Sequence, residues 1–232
     1  MIVTAHQPHF MPWTGYINRI FLSDTFVVMD NLEYTRNNYI SRNRILTRNG
    51  IVYLTVPVEY KSNSRRIISE ISIDTIRFKH ILKKHIETIR HSYSKAPGFN
   101  FFFPILASAL NNDHVELLSL DLSVLKAILG YLNIDTKVVL ASSLNISGDK
   151  ESDLFIDLCS KTSCNSVLLG LGASTKYVNK EIVSGSGFQI LFQKFEHPVY
   201  PQGQRLFSPG ISVIDLLFNV KREAAENMVK KM

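Results

Sequence analysis

Residues able to hold and move protons gather in the first turn of this chain. His6, Gln7 and His9 follow a short apolar run, Ile2 to Ala5, and Trp13 and Tyr16 come soon after. An imidazole changes charge near neutral pH, so a histidine at a strand end can serve as a general base or acid. Each of these residues also has an ordinary use. A histidine can bond backbone at a tight turn, and Trp13, the only tryptophan, can be a core residue. What points to a site is their convergence with Asp30, which ends a second apolar run from Phe26 to Met29. In open α/β sheets, ligands sit beyond the carboxyl ends of the strands.

Three further segments carry chemistry. Tyr34 to Arg44 is polar and aromatic, with Arg42 and Arg44 as guanidinium forks for phosphate or carboxylate, and with Asn38 and Asn43 able to orient a sugar or base. The competing reading is a solvated loop. Leu169 to Thr175 contains Gly170 and Gly172 between an apolar run and a helical segment, where backbone N–H groups can cradle an anion. It matches neither the Walker A nor the dinucleotide glycine pattern, and a plain turn explains it equally. Glu196 to Gly203 holds His197, Tyr200 and Gln202 between prolines, which stiffen the chain. Cys159 and Cys164, five positions apart with no second Cys or His pair near them, do not make a zinc site. They read better as small buried hydrophobes than as nucleophiles.

The elements that must position these groups are legible from periodicity. Ile2–Ala5, Phe26–Met29, Arg44–Thr47, Ile51–Val58, Lys137–Ala141, Ser166–Leu169 and Phe188–Gln193 read as strands, with Ile71–Ile73 as a further short one. Asn49-Gly50 marks a hairpin. Phe78–Tyr93 has Ile81, Leu82, His85, Ile86 and Ile89 at helical spacing. Phe99–Leu110 and Val115–Leu132 are apolar helices, the second with Asp113 as candidate cap, and Glu151–Lys161 and Ser212–Phe218 continue the helical set. Strand–helix–strand alternation predicts an α/β fold: a mainly parallel sheet flanked by helices, with a helical insertion at about 78–132 between two strand-containing halves of one domain, 1–232.

The formal charge of +6 favours an anionic partner such as a nucleotide, a phosphorylated substrate, CoA, RNA or an anionic surface, without choosing among them. The basic pairs Arg65-Arg66, Lys83-Lys84 and Lys230-Lys231 do not form a tract. No apolar run is long enough to span a membrane, no secretory signal is present, and two thiols fit a reducing compartment, so the expected location is the cytoplasm.

The blocks His6–Tyr16 (HQPHFMPWTGY), Ser23–Asp30 (SDTFVVMD), Ser41–Ile45 (SRNRI), Leu54–Val58 (LTVPV), His197–Gln202 (HPVYPQ) and Phe207–Asn219 (FSPGISVIDLLFN) resemble the WbqC-like family, in order and over nearly the whole chain. The family's middle block, Tyr-Leu-Ser-Gly before a glycine-rich turn, is replaced here by Val167-Leu168-Leu169-Gly170. If that loop selects the donor or the sugar, this chain selects differently. The resemblance implies a role in bacterial surface polysaccharide synthesis, such as O-antigen, and the transfer of an acyl or glycyl group onto an amino sugar.

The expected partners are therefore a nucleotide-linked amino sugar and an acyl-CoA or aminoacyl donor. No bound cofactor and no metal are expected, and the reading admits a homo-oligomer. The candidate catalytic residues are His6 as base, His197 second, and Asp30 to orient the base or bind sugar. The candidate binding residues are Gln7, Trp13, Tyr16, Asn38, Arg42, Asn43, Arg44, Gly170, Gly172, Tyr200 and Gln202. Asn43, Gln7 or N–H groups near Gly172 would meet the oxyanion, and Arg42 and Arg44 the diphosphate. A non-catalytic sugar-nucleotide-binding role is the rival reading, and an RNA-binding or tRNA-dependent role a weaker one.

Overall fold

A computed structural model describes residues 1–59, 66–146, 151–170, 172, 178–203 and 206–231. Five strands, β1 (Ile2–His6), β2 (Thr25–Val28), β5 (Lys137–Leu140), β6 (Ser166–Leu169) and β7 (Gln189–Phe192), form one parallel sheet in the order β5-β2-β1-β6-β7. The runs Thr25-Phe26-Val27-Val28 and Ser166-Val167-Leu168-Leu169 are buried along their full length, as strands covered on both faces must be. The chain starts in the middle of the sheet, builds to the β5 edge, then returns across β1 to lay down β6 and β7. The point where the order reverses is therefore the junction of β1 and β6. There the ladder is short. β1 pairs with β2 through four residues, Val3 to His6, but with β6 only through Ile2–Ser166 and Val3–Val167. Thr4 Oγ1 donates to Leu168 O at 2.7 Å, and beyond it the two strands carry no pairing.

Alternating side chains serve two cores. Val3, Val27 and Val167 face a core with Phe155, Leu158 and Cys159 of α5 (Glu151–Thr162) and Val183 of α6 (Lys180–Gly185). Phe26 and Val28 face the larger core, shared with α1 (Thr14–Phe21), α2 (Thr75–Tyr93), α3 (Phe99–Asn111), α4 (Leu117–Tyr131), α7 (Val213–Asn219) and α8 (Arg222–Lys230). The insertion is helical as expected, and its first helix buries Phe78, His85, Ile89 and Tyr93 as one stripe. Asp74 caps that helix by accepting from the N–H of Arg77.

The Asn49-Gly50 turn joins β3 (Arg42–Thr47) and β4 (Gly50–Thr55) as an antiparallel hairpin apart from the main sheet, with Gly50 at φ 109°. Two expectations fail. Among the described residues Ile71–Ile73 makes only isolated bridges, Val58–Ile73 and Ser72–Glu116, and forms no strand. Asp113 caps nothing, since α4 begins later, after Glu116.

One polar group breaks the larger core. Asp121 on α4 is 1% exposed, and neither carboxyl oxygen has a hydrogen-bond partner among the described residues. Burial raises its pKa well above the usual carboxylate range. Below the unfolded pKa, both the folded and the unfolded chain hold the proton and the group costs nothing extra. As pH rises past that point the unfolded chain ionises first, so stability falls with rising pH until the folded pKa is reached. Asp121→Asn should therefore raise stability by about 1–3 kcal/mol at pH 7 and by much less near pH 4, measured by urea unfolding at both values.

Candidate functional site

The turn that follows β1 is held from two sides. Phe10 N donates to Tyr39 O at 2.9 Å, and Asn43 Nδ2 donates to Met11 O at 2.6 Å. From the closing block, Val213 N donates to Pro12 O at 2.8 Å, and Trp13 forms a β-bridge with Ser212. Ser212 N in turn bonds Arg44 O, so the first block, the Tyr34–Arg44 segment and the closing block meet at one place. Met11 is fully buried with φ 49°, a left-handed conformation that costs a side-chain-bearing residue about 1–2 kcal/mol. The Asn43 carboxamide, itself fully buried, fixes that geometry.

The held turn presents His6, His9 and Tyr16 as a ring cluster. The His6 ring stands edge-on to His9 (centroids 4.7 Å) and to Tyr16 (5.2 Å), and His9 stacks on Tyr16 at 4.8 Å. Tyr16 OH donates to Gln7 O. His6 Nδ1 lies 3.0 Å from the same carbonyl oxygen. A carbonyl can only accept, so Nδ1 carries the proton and Nε2 keeps its lone pair. Burial, and next the charge of Arg19, lower the His6 pKa to about 4, so the ring is neutral at pH 7. Burial, His6 and Arg19 lower His9 further in the same direction, and its Nδ1 is buried without a partner. Burial raises the Tyr16 phenol.

Arg19 is the residue that sequence reading missed. It lies in the last turn of α1, three positions after Tyr16 and so on the same helix face. Helical side chains lean toward their N-terminus. That lean carries the guanidinium up to the end of β6, where a Cβ on Gly170 would stand 2.8 Å from Nη1. Arg19 makes no hydrogen bond or ion pair with any described residue. Gly170 thus lies against the cluster, at the β1–β6 junction. Gly172 is exposed, with open space where a Cβ would sit. Positions 171 and 173–175 of the expected loop lie outside the described residues, as do Arg65 and Tyr177.

The other candidates have structural partners. Asp30 is buried, and both its oxygens accept from Ser142, from N at 2.9 Å and from Oγ at 2.5 Å, tying the end of β2 to the turn after β5. Trp13 packs edge-on against Phe195 at 5.1 Å and near His197, and covers Gly15. His197 Nε2 accepts from Gly210 N at 2.8 Å, so its lone pair is engaged. Arg44 Nη2 donates to Gly210 O at 2.9 Å, and Arg42 lies over the Tyr53 ring at 4.7 Å. Asn38 Oδ1 accepts from Tyr39 N. Cys159 and Cys164 are buried free thiols, and burial pushes Cys159 up to about 11. Among the described residues no group of three or more His, Cys, Asp or Glu could hold a metal ion, and no helix is long and apolar enough to cross a membrane.

Tyr200 and Gln202 build a second polar centre around Asp215, which is fully buried. Asp215 Oδ1 accepts from Tyr200 OH and from Gln202 Nε2, both at 2.9 Å, and Oδ2 accepts from Tyr93 OH at 2.7 Å. Tyr93 OH also accepts from Leu46 N, so one carboxyl joins α2, α7, β3 and the Pro-framed loop. It borders a cleft of about 510 Å³ that Arg48, Lys95 and Asn219 also line. Asp215→Ala would leave the buried Tyr93 and Tyr200 hydroxyls without their acceptor, while Gln202 Nε2 keeps Ser208 O, and should cost about 3–5 kcal/mol in chemical denaturation, with Asp215→Asn in between.

Comparison with known proteins adds the lineage. A Mycobacterium tuberculosis protein, Rv1507c, itself uncharacterised, is 30% identical over 228 residues, covering 97% of this chain and 96% of that one. No solved structure matches. The sequence also fits a family pattern over residues 7–227, from the turn that carries His9 to α8. With nearly the whole chain matched, it belongs to the WbqC-like protein family.

Proposed function

We propose that this chain is a transferase that moves an acyl or aminoacyl group onto the amine of a nucleotide-linked amino sugar in bacterial surface polysaccharide synthesis, with His6 as general base. The observation that carries the reading is the tautomer of His6. Its Nδ1–H is spent on Gln7 O, its Nε2 lone pair is free, and it sits at the carboxyl end of β1 beside the reversal of strand order. His197 is the weaker candidate because Gly210 N–H already uses its lone pair.

The step balances simply. The amine nitrogen attacks the donor carbonyl, the N–C bond forms, and the amine proton passes to Nε2. The C–S or C–O bond then breaks, and the leaving group takes the proton from the imidazolium. The N–H groups of the first turn and near Gly172 are the candidates to meet the oxyanion. Trp13, partly exposed, supplies an aromatic wall for the sugar or base, the buried Tyr16 backs the histidine rings, and Asp30 positions the rim of the sheet.

One observation favours a non-catalytic sugar-nucleotide-binding role instead. No carboxylate bonds the His6 ring among the described residues, because both oxygens of Asp30 are committed to Ser142. The two readings part in a mass-spectrometric assay of nucleotide-activated amino sugars with acyl-CoA and aminoacyl-tRNA donors. The transferase reading expects a product heavier by one acyl group. It further expects His6→Ala to lower turnover by about 100-fold or more while sugar-nucleotide affinity changes little. Sugar-nucleotide binding with no new mass under any donor would favour the binding protein. Turnover unchanged in His6→Ala would remove His6 from the chemistry.

A further inference from the structure

Arg19 has no evident structural use. Its side chain is partly buried with the guanidinium open to solvent, it carries a fixed positive charge, and no described residue pairs with it. A partly desolvated cation without a countercharge gains nothing from its neighbours, and an anion from solution would complete it. The neighbouring described side chains offer no countercharge. The neighbouring rings of His6 and His9 are neutral, and the Tyr16 phenol keeps its proton.

The location narrows what could compensate it. The guanidinium sits at the junction of β1 and β6, where the strand order reverses and the ladder between them stops after Val3. Crevices of this kind take nucleotide ligands in open α/β sheets. Gly170 lies directly against Nη1, and its backbone is not left-handed, so the glycine is there for space and not for conformation. The sequence places Gly172 two residues on, and such positions let backbone approach an anion closely.

The geometry points to Arg19, with Gly170 beside it, as the anchor for a phosphoryl group of the ligand, at the β1–β6 junction. This moves the phosphate contact away from Arg42 and Arg44. Arg42 is engaged with Asn37 and the Tyr53 ring, and Arg44 donates Nη2 to Gly210 O while its Nε is buried away from solvent without a partner. The inference shares its site with the proposed transferase and names its phosphate contact, but it needs no turnover to be tested. A guanidinium fork accepts two phosphoryl oxygens at once, which an ammonium cannot do.

The test is calorimetric titration of the full chain with inorganic pyrophosphate, uridine diphosphate and succinate. Wild type should bind both phosphoryl probes saturably and succinate weakly. Arg19→Met should weaken phosphoryl binding by about 50-fold or more and Arg19→Lys by about tenfold, since the charge remains but the fork is lost. Arg42→Met should bind like wild type. Arg19→Met should also keep Tm close to wild type, because no described residue depends on the guanidinium for a hydrogen bond or ion pair. Should that variant not fold, Gly170→Ala supplies the second arm. Its methyl forces the guanidinium aside, and binding should fall several-fold with the fold intact.

Saturable binding of neither phosphoryl probe, tighter binding of succinate, or phosphoryl binding unchanged in Arg19→Met would overturn the inference. The outcomes stay separable from those of the transferase assay. Phosphoryl binding that depends on Arg19, without turnover, keeps the anchor and removes the enzyme. Turnover with binding indifferent to Arg19 does the reverse.

Discussion

The turn around Met11, whose carbonyl accepts from Asn43, is where three distant parts of the chain meet. That carbonyl sits on a residue held in a left-handed conformation, in a turn that would otherwise relax, and the fully buried Asn43 carboxamide closes on it. A penalty of about 1–2 kcal/mol at Met11 is sustainable because the neighbouring turn is over-determined: Phe10, Pro12 and Trp13 each meet backbone from another segment. Everything at the carboxyl end of β1 inherits its position from that clamp. His6, His9 and Tyr16 pack ring against ring because the turn between them has one available path. The family blocks at the two ends of the chain follow from the same constraint, since a turn held by Asn43 and by Val213 needs both.

Two buried polar centres follow opposite rules. At Asp215 every demand is met: a carboxyl takes three side-chain donors, one from α2 and two from the Pro-framed loop. A network satisfied to that degree rigidifies what it joins. At the β1–β6 junction the demands are unmet. The His6 Nε2 lone pair, the His9 Nδ1 and the Arg19 guanidinium all lack partners among the described residues. Burial holds the rings neutral and leaves the guanidinium as the fixed charge among them. The saturated centre holds the fold; at the junction the unmet groups lie together beyond the carboxyl end of β1, unlike the solitary Asp121 in the core.

The strands and helices were legible because their periods are strong. Ser166–Leu169 is a short apolar run with no other reading, and Phe78–Tyr93 carries its stripe openly. The sheet order was not legible, since short parallel strands look alike and pairing is decided by the helices between them. Tyr200 and Gln202 stood out as special residues, but their partner Asp215 lies thirteen to fifteen positions on, within a helix, and the spacing gives no hint that all three converge. Arg42 and Arg44 attracted a phosphate role through residue type alone. On a hairpin their forks found Tyr53 and Gly210 first. Arg19 was overlooked for the converse reason: a single arginine on an amphipathic helix normally faces water, and only the position of Gly170, far along the chain, brings it inside.

The unpaired arginine and the depressed histidine are one electrostatic fact. Burial is the larger cause of the low His6 pKa, and the Arg19 charge is the next. A base with a pKa near 4 is certain to be neutral at pH 7 but accepts a proton reluctantly, and catalysis by proton transfer works best when the base is matched to its working pH. An anion seated on Arg19 would cancel the second cause and leave the first. The His6 ring would then bind a proton more readily when the ligand is present than when the site is empty. Under that arrangement the charge that holds the ligand also prepares the base, and the empty site carries both an unpaired cation and an idle histidine.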